Sequence, residues 1–188
     1  MSSAERFESE TLTLLEYETL EEADDERIEL MRGRAVREPA PGGVHGVVLI
    51  RLAHALHSHV SERSLGLVLV ETGVRYPGEP PTVRRPDIAF IAADRLPATT
   101  PTSFWQTVPD LAIEIVSPND RWTVVQQKLG VDLAAGVRAV WIIDPRARSL
   151  TVHTTAFPPR VVHAGEVLEA GDIIAGFRVS VGDLFAGL

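Results

Sequence analysis

Asp110-Leu111-Ala112-Ile113-Glu114-Ile115-Val116 is apolar at every position except its first and its fifth. So short an apolar run is typical of a strand covered on both faces, as in sheets with helices packed on either side. After it, Ser117-Pro118-Asn119-Asp120 begins a helix to about Ala135, which Gly136 stops. Ala139–Ile143 is a second buried strand, ended by an Asp144-Pro145 turn, and Leu150–Thr155 pairs with it. The tail alternates short strands with glycine turns and ends in Val181–Phe185.

Upstream, Val83–Ile91 reads as one strand reached through Arg84-Arg85-Pro86, and a loop rich in Pro and Thr, Arg95 to Pro109, separates it from the apolar run. Thr13 caps a short helix to about Leu20, with Glu16 as its capping-box partner. Arg27–Glu38 is a hairpin turning at Arg32-Gly33. From Val44 to about Arg63, the apolar residues Val48, Leu52, Ala55, Leu56 and Val60 recur at helical spacing. Leu65–Tyr76 is β-rich and broken at Gly73. The order helix, hairpin, long helix, strands, helix, strands predicts an α/β fold with a mixed central sheet flanked by helices. Residues 1–10 are expected to be disordered and 11–188 to form one domain.

The 188 residues are 45% hydrophobic and 23% charged, an ordinary globular composition with enough material for a core. The absence of cysteine excludes disulfides, thiolate nucleophiles and Cys-based zinc sites. No apolar run approaches the roughly 20 residues needed to span a bilayer, and the polar, acidic start is no signal peptide, so the cytoplasm is the expected location. The net charge of −8 argues against a broad phosphate-binding face. Much of the acid is local, however: residues 16–29 hold eight Asp or Glu and one Arg, and the remainder is near neutral.

Two acids stand where acids are costly. Asp87 sits just inside a strand and Glu114 in the middle of the apolar run. A buried carboxylate needs a cation, a proton or several donors. Two on neighbouring strands make a hard-cation site, since Mg²⁺ prefers carboxylate oxygens and keeps waters for substrate. The plainer readings are a capping Asp87 and a solvent-facing Glu114. Lys128 lies beside the stripe Val125, Leu129 and Leu133; it either reaches back to the strand ends, to orient water or stabilise a phosphorane, or pairs with Asp132 one turn on. His54, His57 and His59 form a polar helix face or, with ligands from elsewhere, a zinc site. His45 is a helix N-terminal residue or a contact for phosphate or water. Gly42-Gly43 can approach a phosphate, although the longer glycine-rich signatures are missing. Arg84 and Arg85 are the best local basic patch or, more simply, neutralise the acids.

Pro86-Asp87 and Glu114-Ile115-Val116 before Ser117-Pro118 resemble the Uma-type family of restriction endonucleases in the PD-(D/E)XK superfamily. So do Leu14-Leu15-Glu16-Tyr17, Ile28-Glu29-Leu30 with Gly33, His45, Trp141-Ile142-Ile143-Asp144-Pro145, and Ala175-Gly176-Phe177 before Asp183-Leu184-Phe185. The match spans residues 12–188 and lies in the order and spacing of the motifs together. It implies a restriction-endonuclease-like fold with a metal-dependent phosphodiesterase core. Asp87 and Glu114 would be metal ligands, Glu29 an accessory acid, Lys128 the motif lysine moved onto the helix, and His45 a neighbour of the site. The chain departs from the family pattern at Val116, the usual lysine position, and at Val124 and Asp132, where family members often carry Asp and Tyr.

The expectation is a Mg²⁺-dependent endonuclease acting on DNA, with Mn²⁺ as a possible substitute, working as a homodimer. Any sequence preference would come from loops such as residues 95–109. Two other readings stand beside it: a non-catalytic nuclease-fold protein acting through protein partners, and a metal-dependent hydrolase of a smaller phosphodiester.

Overall fold

Thr13 opens the first helix as its sequence predicts. In the computed structural model, which describes residues 11–118 and 120–188, the Thr13 N–H donates to Glu16 Oε2 at 2.7 Å and the Glu16 N–H returns to Thr13 Oγ1 at 3.3 Å. The expectation for residues 1–10, and Asn119 within the expected helix start, lie outside the described residues. This capping box begins α1 (Leu14–Glu18). β1 (Glu26–Met31) and β2 (Arg34–Pro39) follow as an antiparallel hairpin. Its two turn residues, Arg32 and Gly33, both have positive φ, as a tight two-residue turn requires. Next come α2 (Gly43–Glu62), β3 (Gly66–Val70) and β4 (Val74–Tyr76), the two strands separated at residues 71–73 around the expected break.

The expected single strand 83–91 is instead two strands, β5 (Thr82–Arg84) and β6 (Ile88–Ala92). Between them stands Pro86, which has no N–H to give to a ladder, so pairing stops there and resumes with different partners. β5 joins a four-stranded sheet of order β2-β1-β5-β4, whereas β6 pairs with β3.

β7 (Leu111–Ile115), α3 (Trp122–Ala135) and β8 (Ala139–Asp144) form the strand–helix–strand unit read from the apolar runs. α3 ends at Gly136 with φ near 100°, a left-handed cap that suits glycine. β9 (Ser149–Thr154) and β10 (Arg160–His163) complete a six-stranded sheet of order β10-β9-β8-β7-β6-β3, in which only the β7–β8 pair is parallel. β11 (Val167–Glu169) and β12 (Arg178–Ser180) make a small ribbon, and the final stretch is a short helix, α4 (Val181–Leu184).

Strand alternation assigns the two faces of the large sheet. Ile88, Phe90, Ile113 and Trp141 pack with Leu52 and Leu56 of α2. Ile91, Ala112, Val140 and Ile142 pack with Val125 and Leu129 of α3. The mixed central sheet with helices on it is therefore present, with the four-stranded sheet set against it. Among the described residues, no helix is long and apolar enough to cross a membrane.

Candidate active site

Glu114 shares a strand face with Ala112, so it points toward α3. β6 and β7 are antiparallel neighbours with Ile88 opposite Ile113, and continuing that register by one residue sets Asp87 opposite Glu114. Asp87 is therefore not inside a strand as expected but one residue before β6, just after Pro86 breaks the ladder, and it meets Glu114 at the end of β7. They line a cleft of about 560 Å³, its open mouth included, together with Glu29, Glu38, His45 and Lys128. Glu29, His45, Asp87 and Lys128 are buried, and Glu114 and Glu38 are partly buried.

Each carboxylate has one engaged oxygen and one freer oxygen. Asp87 Oδ2 accepts the Ile115 N–H at 2.7 Å and lies 3.0 Å from His45 Nε2; Oδ1 has Arg27 Nη1 at 3.5 Å. Glu114 Oε1 accepts Arg84 Nη2 at 2.6 Å, and Oε2 has Lys128 Nζ at 3.6 Å. Asp87 Oδ1 and Glu114 Oε2 are thus held only by these longer contacts to Arg27 and Lys128. Among the described residues, no group of three or more His, Cys, Asp or Glu side chains forms a ready-made metal cage. A site for Mg²⁺ does not need one, because that ion uses one or two carboxylates and keeps several waters.

The environments push the pair apart. Burial raises the Asp87 carboxyl, and the Glu114 charge adds to this; His45 and the Ile115 N–H oppose it without cancelling it, so Asp87 titrates above the usual carboxylate range. Burial also pushes Glu114 up, but Lys128 and Arg84 outweigh it and hold that group below the usual range.

Lys128 does not pair with Asp132. Its ammonium forms a close ion pair with Glu38 and lies 3.4 Å from Glu29 Oε1 and 3.6 Å from Glu114 Oε2. The buried side chains of α3 are Val125, Lys128, Leu129 and Asp132, while Leu133 is only partly covered, so Lys128 lies within the buried stripe. Glu38 is raised by burial, with Lys128 opposing.

Arg84 is no basic patch. It is 0% exposed, ion-paired to Glu29, hydrogen-bonded to Glu114, and within 2.9 Å of Asp132 Oδ1 through Nε. Burial works against its charge, yet Asp132 and Glu114 outweigh that and raise its pKa. Arg85 faces outward, donating from Nη1 to Glu22 at 2.9 Å and from its backbone N–H to Glu29 at 3.2 Å. His45 Nε2 is directed at Asp87, and its buried Nδ1 has no partner among the described residues. Gly42 is the N-cap of α2, where no side chain caps the helix. His59 Nε2 instead lies 2.9 Å from the Ala175 carbonyl and His57 faces Ser61, as on a polar helix face.

A family model described as “Uma2: Putative restriction endonuclease” matches residues 14–182. The chain belongs to the Uma2 family. No curated protein matches it. Among solved structures it resembles one described as a “putative nuclease belonging to DUF820” from Anabaena variabilis ATCC 29413. The TM-score is 0.82 at 22% identity, over 93% of this chain and 97% of the other. At that identity the likeness carries the fold, and the Uma2 match carries the family read from the motifs.

All five site residues expected from the Uma2 resemblance, Asp87, Glu114, Lys128, Glu29 and His45, line this one cleft. Sequence reasoning missed Glu38, which it left at the end of a hairpin. It also missed the attachment of Asp132 to Arg84. The signal for Asp132 was available: it stands seven residues after Val125 and three after Leu129, on the same helix face.

Proposed function

We propose that the protein is a divalent-metal-dependent endonuclease that hydrolyses DNA phosphodiester bonds, with Mg²⁺ or Mn²⁺ held by Asp87 and Glu114. One observation carries the reading: a carboxylate on β7 and one at the entry to neighbouring β6 face one cleft, each with one oxygen held only by a long ion pair. Their donor chemistry suits a hard cation. The charge count also favours one, since four carboxylates, Glu29, Glu38, Glu114 and Asp132, surround only two cations, Arg84 and Lys128. When bound, the ion would supply Lewis-acid polarisation of the phosphate and a water acidified for attack.

The chain's own groups do the rest. His45 and the Ile115 N–H fix Asp87 Oδ2 and leave Oδ1 toward the cleft. Glu29 serves as the accessory acid, tying Arg84 and Lys128 to the first hairpin. Lys128 offers an ammonium to a phosphate oxygen as negative charge builds on it; to do so it must leave Glu38, and substrate phosphate would compete with that carboxylate. The same Glu38 contact favours a second reading, in which Lys128 is committed to structure and the protein acts through partners without catalysis.

Incubation with supercoiled plasmid, single-stranded DNA and RNA, each with Mg²⁺, Mn²⁺ or chelator, tests the proposal. Plasmid nicking that needs metal and is lost in Glu114→Gln is expected. Intact DNA under every metal condition, together with a flat metal-binding calorimetry trace, would leave the non-catalytic reading in its place. Cleavage restricted to small phosphodiesters, with no salt-dependent DNA binding, would point to a different hydrolase.

A further inference from the structure

The chemistry above uses Glu114 but gives no role to the group beneath it. Arg84 has no exposed surface, and burying a guanidinium is costly unless its donors are met. Two of its three nitrogens donate hydrogen bonds, and the third, Nη1, is held by an ion pair alone. Nη1 pairs with Glu29 Oε2; Nη2 donates to Glu114 Oε1 at 2.6 Å; Nε donates to Asp132 Oδ1 at 2.9 Å, with Nη2 also 3.3 Å from Asp132 Oδ2. Tyr76 Oη donates to the same Asp132 Oδ1 at 2.9 Å. Asp132 is itself 0% exposed and stands one helical turn beyond Lys128. α3 therefore reaches Glu114 from both sides, with Lys128 near Oε2 and Asp132 acting on Oε1 through Arg84.

We infer that Arg84 is a positioning residue for metal loading, and that Asp132 and Tyr76 hold Arg84 in place for it. The inference rests on the reading of Glu114 as a metal-holding carboxylate. A free glutamate must give up rotamer freedom when it takes an ion. With Oε1 already bonded to a fixed guanidinium, Glu114 gives up little, and Oε2 is the oxygen left for the cleft. Arg84 can do this because its planar fork serves several carboxylates at once, which a lysine ammonium cannot do with the same geometry. Outer residues of this kind typically change metal affinity about 10–100-fold when removed.

Asp132→Asn keeps the volume of the side chain but removes the charge that anchors Arg84. Tyr76→Phe removes only the hydroxyl and is the milder variant should Asp132→Asn fold poorly. Both would be titrated with Mn²⁺ by calorimetry beside wild type and Glu114→Gln, with plasmid cleavage followed against Mn²⁺ concentration. Asp132→Asn should bind Mn²⁺ about 10–100-fold more weakly and need correspondingly more Mn²⁺ for half-maximal cleavage, with KM for DNA unchanged. Tyr76→Phe should shift both in the same direction by less. Folded variants with lowered melting temperatures but wild-type Mn²⁺ affinity would overturn the inference, because the network would then be structural only. Equal Mn²⁺ affinity in wild type and Glu114→Gln would instead overturn the reading of Glu114, and the inference with it.

Discussion

Lys128 Nζ sits among Glu38, Glu29 and Glu114, so its removal exposes three acids to one another without adding a clash. Near a bound cation its charge is repulsive, and its benefit arises only as the phosphate gains charge in the transition state. Lys128→Ala should therefore lower turnover about 10²–10³-fold and leave Mn²⁺ affinity unchanged or tighter, as read by single-turnover cleavage and calorimetry. Unchanged cleavage by this variant, in a protein whose Glu114→Gln form is dead, would make Lys128 structural. Tyr76 gives a prediction on stability. Burial, then the Asp132 charge, raises its phenol well above the ordinary value. A group with a raised folded-state pKa contributes stability below its unfolded pKa and loses it as pH rises. At neutral pH, Tyr76→Phe should cost roughly 1.5–3 kcal/mol through the lost bond to a charged acceptor. In urea unfolding above about pH 10, the gap should shrink as the unfolded tyrosine ionises. Tyr17 is present in both proteins and cancels. A gap that stays constant to high pH would remove Tyr76 from the network. At this scale the sequence disclosed the acids, because Asp87 borders one apolar strand and Glu114 interrupts another. It concealed Arg84: a charged residue two positions before Pro86 reads as surface, and only tertiary pairing turns it inward.

Pro86 matters at the level of elements. By ending β5 and letting β6 start afresh at Ile88, it delivers Arg84 to the small sheet and Asp87 to the large one, within three residues. The apolar pattern of 83–91 is continuous across that point, which is why periodicity alone gives one strand there. The proline was visible, and its missing N–H is the physical reason for the break. The helices were more legible: α2 and α3 carry long apolar repeats, and Gly136 ends α3 as expected. β3 meets β6 through a close approach at Gly66, whose φ is 154°. A Cβ there would stand 2.1 Å from the Ile91 carbonyl oxygen, a backbone atom that cannot swing aside. Gly66→Ala should destabilise by more than about 1 kcal/mol, lowering the melting temperature by several degrees. A wild-type melting curve would show that this edge of the sheet is looser than its pairing suggests.

At the level of the whole molecule, two sheets meet over the cleft and, among the described residues, each keeps an unpaired edge: β10 and β3 in one and β2 in the other, where β4 is instead bonded to Trp105. Exposed edges are usually covered, and Phe157 and Val161 add apolar surface along the β10 side. A homodimer is expected, and cutting both strands of a duplex would benefit from two sites related by a two-fold axis. Light scattering at tens of micromolar, as an order-of-magnitude working range, should give twice the chain mass; a monomer mass would count against it. The net charge of −8 bears on substrate as well. DNA binding should respond to salt with a shallow slope, because few phosphates can be neutralised by an acidic chain that spends Arg84 internally. The central claim is that Asp87 and Glu114 share one divalent cation. It is tested most directly by crystals soaked in Mn²⁺ and measured at the manganese absorption edge. The expected result is one anomalous peak about 2.1 Å from Asp87 Oδ1 and from Glu114 Oε2, absent in Glu114→Gln. No peak between these oxygens in a protein that still cleaves DNA with Mn²⁺ would contradict it.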